Sequence, residues 1–544
     1  MSNNIMDENK MNFLSEKKCV EICEGSARMM YDESEAVFYN KVQVLNRDIS
    51  TQVIRLFAEK IESEKNAKYL KKLENSQKGN SVREPYPPSK GISILDGLAA
   101  TGLRSVRYIK EIPGIRTITI NDLSTAATET AQKNFIANDV FDKEKVIIEN
   151  KDATILMYEH RESTKNFDVI DLDPYGTAVP FIDAAVQAVS DGGLLCVTCT
   201  DMTVLSGNFP EVCLAKYGSM PIKARYLHEM SLRILLYSLE IAANKYKRHI
   251  VPWLSMSVDF YVRVFVRVFE SAAEVKNSCL KRALAFQSTQ CPSFTIQPLA
   301  AAAFNKGTYA ADILRVSGSG KCEETGGNLK IVGPFWAAPI HDQAVIDELL
   351  QRVECEHCEQ SLPYPLATAE RMVGLLTSMA EELKDVPLHY NLPELAATLR
   401  SSVPSQLEMR SALVNAGYRV SSFHHDPDAV KTDAPNSVLW DVMRAYCQKN
   451  PPKGSCKKRD SKVAAAILAR PCSTVVDFSV PAILQGPKKK VLRFPPNPEA
   501  NWGPKRRAGR LQEVDAAQEG GDLQQPVSRK QRRRAAKELA VKNS

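Results

Sequence analysis

No apolar run in this chain approaches the roughly 20 residues that a bilayer-spanning helix requires, so the sequence predicts no membrane span. The N-terminal stretch Met1 to Lys18 mixes Asp, Glu and Lys and has no apolar core segment, and no arginine precedes Arg28. Neither a secretory signal nor a typical mitochondrial presequence is therefore expected. There is no internal repeat. The Gly-Lys-Ser/Thr of a phosphate loop is missing, which argues against nucleoside triphosphate hydrolysis. Thirteen cysteines, an odd number scattered along 544 residues, fit a reducing compartment better than a disulfide framework.

What remains is a globular composition, 44% hydrophobic and 25% charged, in a chain long enough for two or more domains. The net charge of +7 is uneven: residues 485–544 hold 15 basic and 6 acidic side chains, a net +9, leaving residues 1–484 at −2. Such a tail either contacts phosphates, serves as a nuclear address or is a solvated arm. Its last part reads as an extended arm with a short basic helix, Ser528 to Leu539.

Along the body, Ser34 to Phe57 reads as a loop and then an amphipathic helix with Val44, Ile49, Val53, Leu56 and Phe57 on one face. A lysine-rich stretch, Glu62 to Lys90, reads as helix and then loop. Strands and helices then alternate. Strands are predicted at Ile92 to Leu95, Thr117 to Ile120, Val146 to Glu149, Val169 to Leu172 and Gly193 to Thr198. Helices are predicted at Leu103 to Glu111, Ser124 to Asn138 and Pro180 to Val189. That spacing predicts a doubly wound α/β sheet with right-handed crossovers. Beyond about residue 265 the pattern changes, with helices expected at Glu348 to Val353, Thr368 to Leu383 and Pro404 to Ala416, and a Pro/Lys-rich break at Lys449 to Asp460.

Carboxylates fall at the ends of successive predicted strands: Asp96, Asp122 and Asp152. An acid after the second strand suits a ribose, and the small-residue turn from Asp96 to Gly102 lets backbone approach a ligand closely. The turn lacks a clean G-x-G-x-x-G, so a ligand with ribose and adenine but no phosphate, such as S-adenosylmethionine, suits it better than a dinucleotide. Each aspartate alone also reads as a helix cap. On the fourth strand, Phe167 to Leu172 runs into Asp173-Pro174-Tyr175-Gly176. A carboxylate there lies where open α/β sheets bind ligands, with Tyr175 as a stacking face for a nucleobase. An ordinary strand-ending turn is the other reading.

Several stretches in order carry a resemblance. They are Val37-Phe38-Tyr39-Asn40 with Asn46-Arg47-Asp48, Leu95 to Arg107, Asp171 to Ala178, Cys199-Thr200-Asp201-Met202 and Lys223 to Arg233. Gly333 to Asp342, Arg410 to Val420, Lys431 to Pro435 and Asn501-Trp502-Gly503-Pro504-Lys505 complete the set. Over roughly residues 24–510 the chain resembles the tRNA (guanine-26-N2)-dimethyltransferases. The resemblance implies a Rossmann-like class I methyltransferase domain over 24–265, after an N-terminal extension, 1–23. A second α+β domain over 266–484 and a basic tail over 485–544 would follow. It further implies S-adenosylmethionine contacts from Arg47, Arg104, Asp122, Asp152 and Ala153. The two arginines would serve the methionine carboxylate, Asp122 the ribose, and Asp152 with Ala153 the adenine edge. Asp173 matches the catalytic aspartate, and Phe38 the aromatic that sandwiches the base with Tyr175. Candidate tRNA contacts are Lys223, Arg225, His228, Lys431, Lys505, Arg506 and Arg507. No obligate protein partner is expected. Pro487-Lys488-Lys489-Lys490 resembles a nuclear import signal, although Arg493 to Lys505 matches the family's own C-terminal segment. The implied location is nuclear, with cytoplasmic and mitochondrial fractions left open.

Many members of that family carry a four-cysteine zinc site of two Cys-x-x-Cys pairs. Here the matching positions read Ser288-x-x-Cys291 and Cys322-x-x-Thr325. Structural zinc requires four good ligands, so no zinc is expected. Cys355-Glu356-His357-Cys358 has metal-like spacing without a second pair and reads as an exposed loop. Cys196 and Cys199 read as core residues on opposite faces of a strand. Asn40-Lys41 stands where the family usually has Asn-Pro. Other readings are an N-methyltransferase for a different RNA or for DNA, and a non-catalytic tRNA-binding or folding protein. An intact sulfonium site disfavours the last.

Overall fold

The chain enters its fold through a hairpin, β1 (Cys19–Glu24) and β2 (Ala27–Asp32), turning at Gly25. The structure is a computed structural model that describes residues 19–32, 39–78, 90–303, 308–316, 318–359, 363–451, 462–485 and 491–498. Phe38, the tail residues Lys505, Arg506 and Arg507, the run Pro487 to Lys490 and the basic segment 528–539 lie outside the described residues.

The central sheet has seven strands: β3 (Ile92–Asp96), β4 (Ile115–Asn121), β5 (Val146–Glu149), β6 (Phe167–Leu172), β7 (Val189–Cys199), β8 (Arg248–Val258) and β9 (Tyr261–Glu270). Their order is β5-β4-β3-β6-β7-β9-β8. The first five are parallel, whereas β9 runs antiparallel to β7 and pairs with β8 as an edge hairpin. Consecutive residues of the parallel strands feed opposite cores, as expected of strands covered on both faces. Ile94, Val169, Leu194 and Cys196 pack on one side, and Leu95, Ile170, Leu195 and Val197 on the other. Cys196 and Cys199 are indeed buried on opposite faces.

One face is covered by the helices Ala153–Glu159, Val179–Ala188 and Leu227–Asn244, through residues such as Leu156, Ile182 and Leu232. The other is covered by Leu103–Glu111 and by the 35-residue helix Val44–Lys78, whose N-terminal half buries Ile49, Val53 and Phe57. Two helices from much later in the chain, Gln343–Glu359 and Ala369–Ala380, complete that same layer with Ile346, Leu349 and Leu376. The division at 265/266 thus falls inside β9, and residues beyond it return to the first sheet. Cys355 to Cys358 belongs to the last turns of Gln343–Glu359, which corrects the loop reading. Helical amphipathicity explains it: Glu356 accepts from Arg55 of the long helix at 2.8 Å. Gly374 is required where the tail backbone crosses, because a Cβ there would lie 2.3 Å from the Leu492 carbonyl oxygen.

The remaining residues form smaller units. A three-stranded sheet has β10 (Arg282–Ser288) at its centre, between β11 (Phe294–Pro298) and β14 (Leu329–Trp336), and a short hairpin pairs β12 (Ala300–Ala302) with β13 (Tyr309–Ala311). A second three-stranded sheet places β17 (Asp426–Thr432) between β15 (Tyr390–Asn391) and β16 (Val420–Phe423). Helices Leu392–Leu399, Gln406–Asn415 and Asn436–Lys449 close a third core around Trp440. Lys431, on β17, is 1% exposed, and its ammonium donates to Glu229 of helix Leu227–Asn244 at 2.7 Å. This corrects its assignment as a tRNA contact. A buried lysine persists only when paired, and Lys431 is committed to that carboxylate.

Candidate active site

The sheet order reverses between β3 and β6, and ligands of open α/β sheets bind outside the carboxyl ends of the strands at such a point. Asp96, Asp171 and Asp173 converge there. Asp173, with its side chain 19% exposed, is ion-paired to Arg104 Nη2. Arg104 reaches it from helix Leu103–Glu111, and its Nη1 donates to Asp171 Oδ2 (3.3 Å) and Asn46 Oδ1 (3.2 Å).

Behind this pair lies a buried charged cluster. Asp171 Oδ2 also accepts from Arg263 Nη2 at 2.8 Å and from the Tyr108 hydroxyl at 2.6 Å, and Arg263 Nη1 donates to Thr198 Oγ1 at 2.7 Å. Burial raises the Asp171 carboxyl, but the guanidiniums of Arg104 and Arg263 outweigh it and hold the group below its ordinary range. Asp96 is different. Burial, reinforced by the charge of Asp171, pushes its carboxyl up to about 7, and the hydroxyl of Ser105 donates to it at 2.7 Å. Asp96 is therefore a buried member of this cluster.

The other two strand-end acids face outward. Asp122 is half-buried, and its two oxygens accept backbone N–H groups from Ala100 and Ser124, each at 2.9 Å. This bond holds the turn after β3, in which Ala100 has the left-handed φ of 49°. Gly102 (φ 75°) lets the following helix seat on Ala131, which a Cβ would approach to 2.9 Å. Asp152 is exposed and caps helix Ala153–Glu159, one oxygen accepting from Thr154 N at 2.7 Å, while Ala153 is buried. Cap and ligand roles are compatible because each carboxylate retains further acceptor sites.

Arg47 is 9% exposed; its Nε and Nη2 donate to Glu24 at 2.6 Å each, leaving Nη1. Burial raises the Glu24 carboxyl, yet Arg47 and Arg107 hold it at about 2. Tyr175 is 51% exposed at the rim. The loop carrying it is pinned: Thr200 N donates to Gly176 O (2.7 Å), and Gly176 N donates to Thr200 Oγ1 (2.8 Å). Lys223 and Arg225 are exposed and line a cavity of about 310 Å³ together with Gln290, Cys291 and Lys330. His228 is half-buried, stacked on His425 with centroids 3.5 Å apart. Sequence reasoning missed Asp171, Tyr108, Arg263 and Glu24 as supporting groups. For Asp171 and Arg263 the signal was charged residues inside otherwise apolar strands, Phe167–Leu172 and Tyr261–Glu270.

Two clusters raise the question of metal. Ser288, Cys291, Cys322 and Thr325 do come together, with the two sulfurs 3.7 Å apart. The Ser288 hydroxyl accepts from Cys291 N at 3.4 Å and that of Thr325 from Gly327 N at 3.2 Å. Two thiols and two engaged hydroxyls do not fit a structural zinc. His341, Glu382 and His424, all buried, have potential ligand atoms within 4.8 Å of one another. Here Ser255 N donates to His341 Nδ1 (3.3 Å) and Ser257 N to His424 Nε2 (3.0 Å). The protons of both rings consequently lie on the nitrogens facing Glu382, where a metal would have to bind, so the group is a carboxylate between two imidazoles.

Five parallel strands, an antiparallel edge hairpin and a carboxylate-rimmed switch point define a class I methyltransferase. A family profile described as N2,N2-dimethylguanosine tRNA methyltransferase matches residues 16–444. The chain belongs to that family. The tRNA (guanine(26)-N(2))-dimethyltransferase of Homo sapiens is 42% identical over 519 residues, covering 90% of this chain and 77% of the relative. The Schizosaccharomyces pombe enzyme of the same name is 38% identical over 527 residues, covering 91% and 94%. A solved structure of Trm1 from Pyrococcus horikoshii with S-adenosyl-L-methionine superposes with a TM-score of 0.61 at 26% identity, over 78% of this chain and 99% of that one.

Proposed function

We propose that this chain methylates the exocyclic N2 of guanine 26 in tRNA, first to N2-methylguanosine and then to N2,N2-dimethylguanosine, with S-adenosylmethionine as donor. The observation that carries the reading is Asp173 paired to Arg104 at the switch point, beside the outward-facing acids Asp122 and Asp152. Those acids and the glycine-containing turn from Asp96 to Gly102 fit a ribose and an adenine, and no phosphate cradle is needed. When bound, S-adenosylmethionine supplies an electrophilic methyl group on a sulfonium.

The residues of the chain do the rest. Asp122 holds the ribose hydroxyls, and Asp152 with the Ala153 backbone reads the adenine. Arg47, oriented by Glu24, offers Nη1 to the methionine carboxylate, with Arg104 alongside. The target guanine leaves its stack to enter the pocket and lies against Tyr175, with Phe38 as the opposing face. Its N2 is a weak nucleophile, because the lone pair is delocalised into the ring. Asp173 accepts a hydrogen bond from one N2–H, which holds the amine in place and returns electron density to its single lone pair, and takes that proton as N2 becomes cationic. One hydrogen remains after the first transfer, so the same carboxylate serves a second round.

The test is nucleoside analysis after reaction with an unmodified tRNA carrying G26 and with its G26→A transcript. Mono- and dimethylguanosine from the first only is expected. Equal product from both would remove the position assignment.

Lys223 and Arg225, together with Lys505, Arg506 and Arg507, are read as phosphate contacts. Replacing either Lys223 or Arg225 by alanine is expected to weaken tRNA binding and flatten the logarithmic salt dependence by about one contact. Titrations between low and physiological salt check this, and an unchanged slope would remove the residue from the interface. The basic tail is also the basis for assigning the protein to the nucleus.

A further inference from the structure

The position that fails as a zinc site has a chemistry of its own. Cys291 lies in the turn between β10 and β11, and Cys322 lies in the loop that leads to β14. They are 7% and 6% exposed, with 3.7 Å between their sulfurs and a hydrogen bond joining them. The remaining cysteines in described strands and helices have no such neighbour among the hydrogen bonds of the described residues: Cys196, Cys199 and Cys213 are each buried apart. We propose that Cys291 and Cys322 are a redox-active dithiol that closes reversibly to a disulfide, and not the remnant of a metal site.

Three observations support this. The pair is close enough that closure to the roughly 2.05 Å of a disulfide requires a shift of less than 2 Å in two loop segments. Cys322 borders a cavity of about 520 Å³ with Phe294, Glu324 and Asn436, and Cys291 borders the 310 Å³ cavity containing Lys223 and Arg225. A small oxidant therefore reaches the sulfurs through a cavity without unfolding the core. The hydrogen bond between the two sulfurs, with the Thr325 and Ser288 hydroxyls nearby, draws the Cys322 thiol down, while the same bond and burial push Cys291 up. The pair is thus divided into a thiolate nucleophile and a protonated resolving thiol.

Hydrogen peroxide serves as the oxidant. The Cys322 thiolate attacks one peroxide oxygen, the O–O bond breaks, and the departing hydroxide takes up the proton that Cys322 released on ionising, giving the first water. Cys322 is now a sulfenic acid. The Cys291 sulfur attacks the Cys322 sulfur, the S–O bond breaks, and the departing hydroxide takes the Cys291 proton as water. Two thiols and one peroxide give one disulfide and two waters.

The experiment uses the full chain, reduced and then exposed to a modest excess of hydrogen peroxide. It is quenched in acid, alkylated under denaturing conditions and mapped by peptide mass spectrometry. A linked peptide pair containing Cys291 and Cys322, two hydrogens lighter than the reduced pair and restored by a thiol reductant, is expected. Cys196, Cys199 and Cys213 should be recovered alkylated. Cys291→Ser should instead leave Cys322 as a trappable sulfenic acid, and Cys322→Ser should leave Cys291 alkylated. Circular dichroism confirms that each protein is folded. Recovery of both cysteines as alkylated thiols from folded, peroxide-treated protein would overturn the proposal. So would retention of one equivalent of zinc through dialysis by the reduced protein, if Cys322→Ser abolished it.

Discussion

Replacing Asp173 by asparagine is expected to lower the methyl-transfer rate by about 10²–10⁴-fold, the usual contribution of a positioned general base, without weakening either tRNA or S-adenosylmethionine binding. Asparagine preserves the shape and can still accept an N2–H hydrogen bond, but it cannot take the proton. The loss should therefore fall on the rate constant and not on the Michaelis constants. Stability should change little, because Asp173 is partly exposed and Arg104 keeps its bond to Asp171. Cofactor affinity should hold or improve, since Arg104 is released from one competing carboxylate. Single-turnover assays with saturating tRNA, beside calorimetric titration of the cofactor, separate these effects. A residual rate within tenfold of the unaltered protein would reduce Asp173 to a positioning role.

The parallel half of the sheet is legible because each strand is a short β-branched run ended by an acid or a turn residue, a local pattern that needs no partner to be seen. Val146–Glu149 coincides with its prediction, and Leu103–Glu111 does as well. Strand ends reach further than predicted where sheet neighbours meet them, as in Val189–Cys199, which β6 meets at Val189 and β9 pairs from Gly193 to Cys199. Contacts between distant segments are the illegible part. Nothing near Leu376 indicates that its helix covers a sheet built nearly 300 residues earlier, and Lys431 looks like any surface lysine until Glu229 is placed beside it. The outward acids Asp122 and Asp152 were recognisable by register after β4 and β5. The burial of Asp96 was not, because the turn that follows β3 folds the chain over it and brings Ser105 to its carboxylate.

Asp171→Asn is the substitution from which the largest loss of stability is expected, about 3–5 kcal/mol, the cost of leaving a buried charge uncompensated. The single oxygen Oδ2 serves Arg104 and Tyr108 of helix Leu103–Glu111 and Arg263 of β9, so it ties the sheet to its helical layer. An amide can accept one or two of these bonds, but it cannot balance two buried guanidiniums. Asp173 would then be the only carboxylate left bonded to Arg104, so a fall in transfer rate should accompany the fall in melting temperature. The pH dependence provides a second readout. Asp96 has a folded-state value of about 7 against 3.8 ordinarily, so it favours folding most below about pH 4, and this contribution is lost as pH rises through 7. Part of that upward shift comes from Asp171. In Asp171→Asn the Asp96 carboxyl should ionise at lower pH, and the decline in stability between pH 4 and 7 should become shallower. Denaturant unfolding across that range measures both effects. An unfolding free energy within about 1 kcal/mol of the unaltered protein, with the same pH slope, would show that Asp171 does not balance the charge of Arg104 and Arg263.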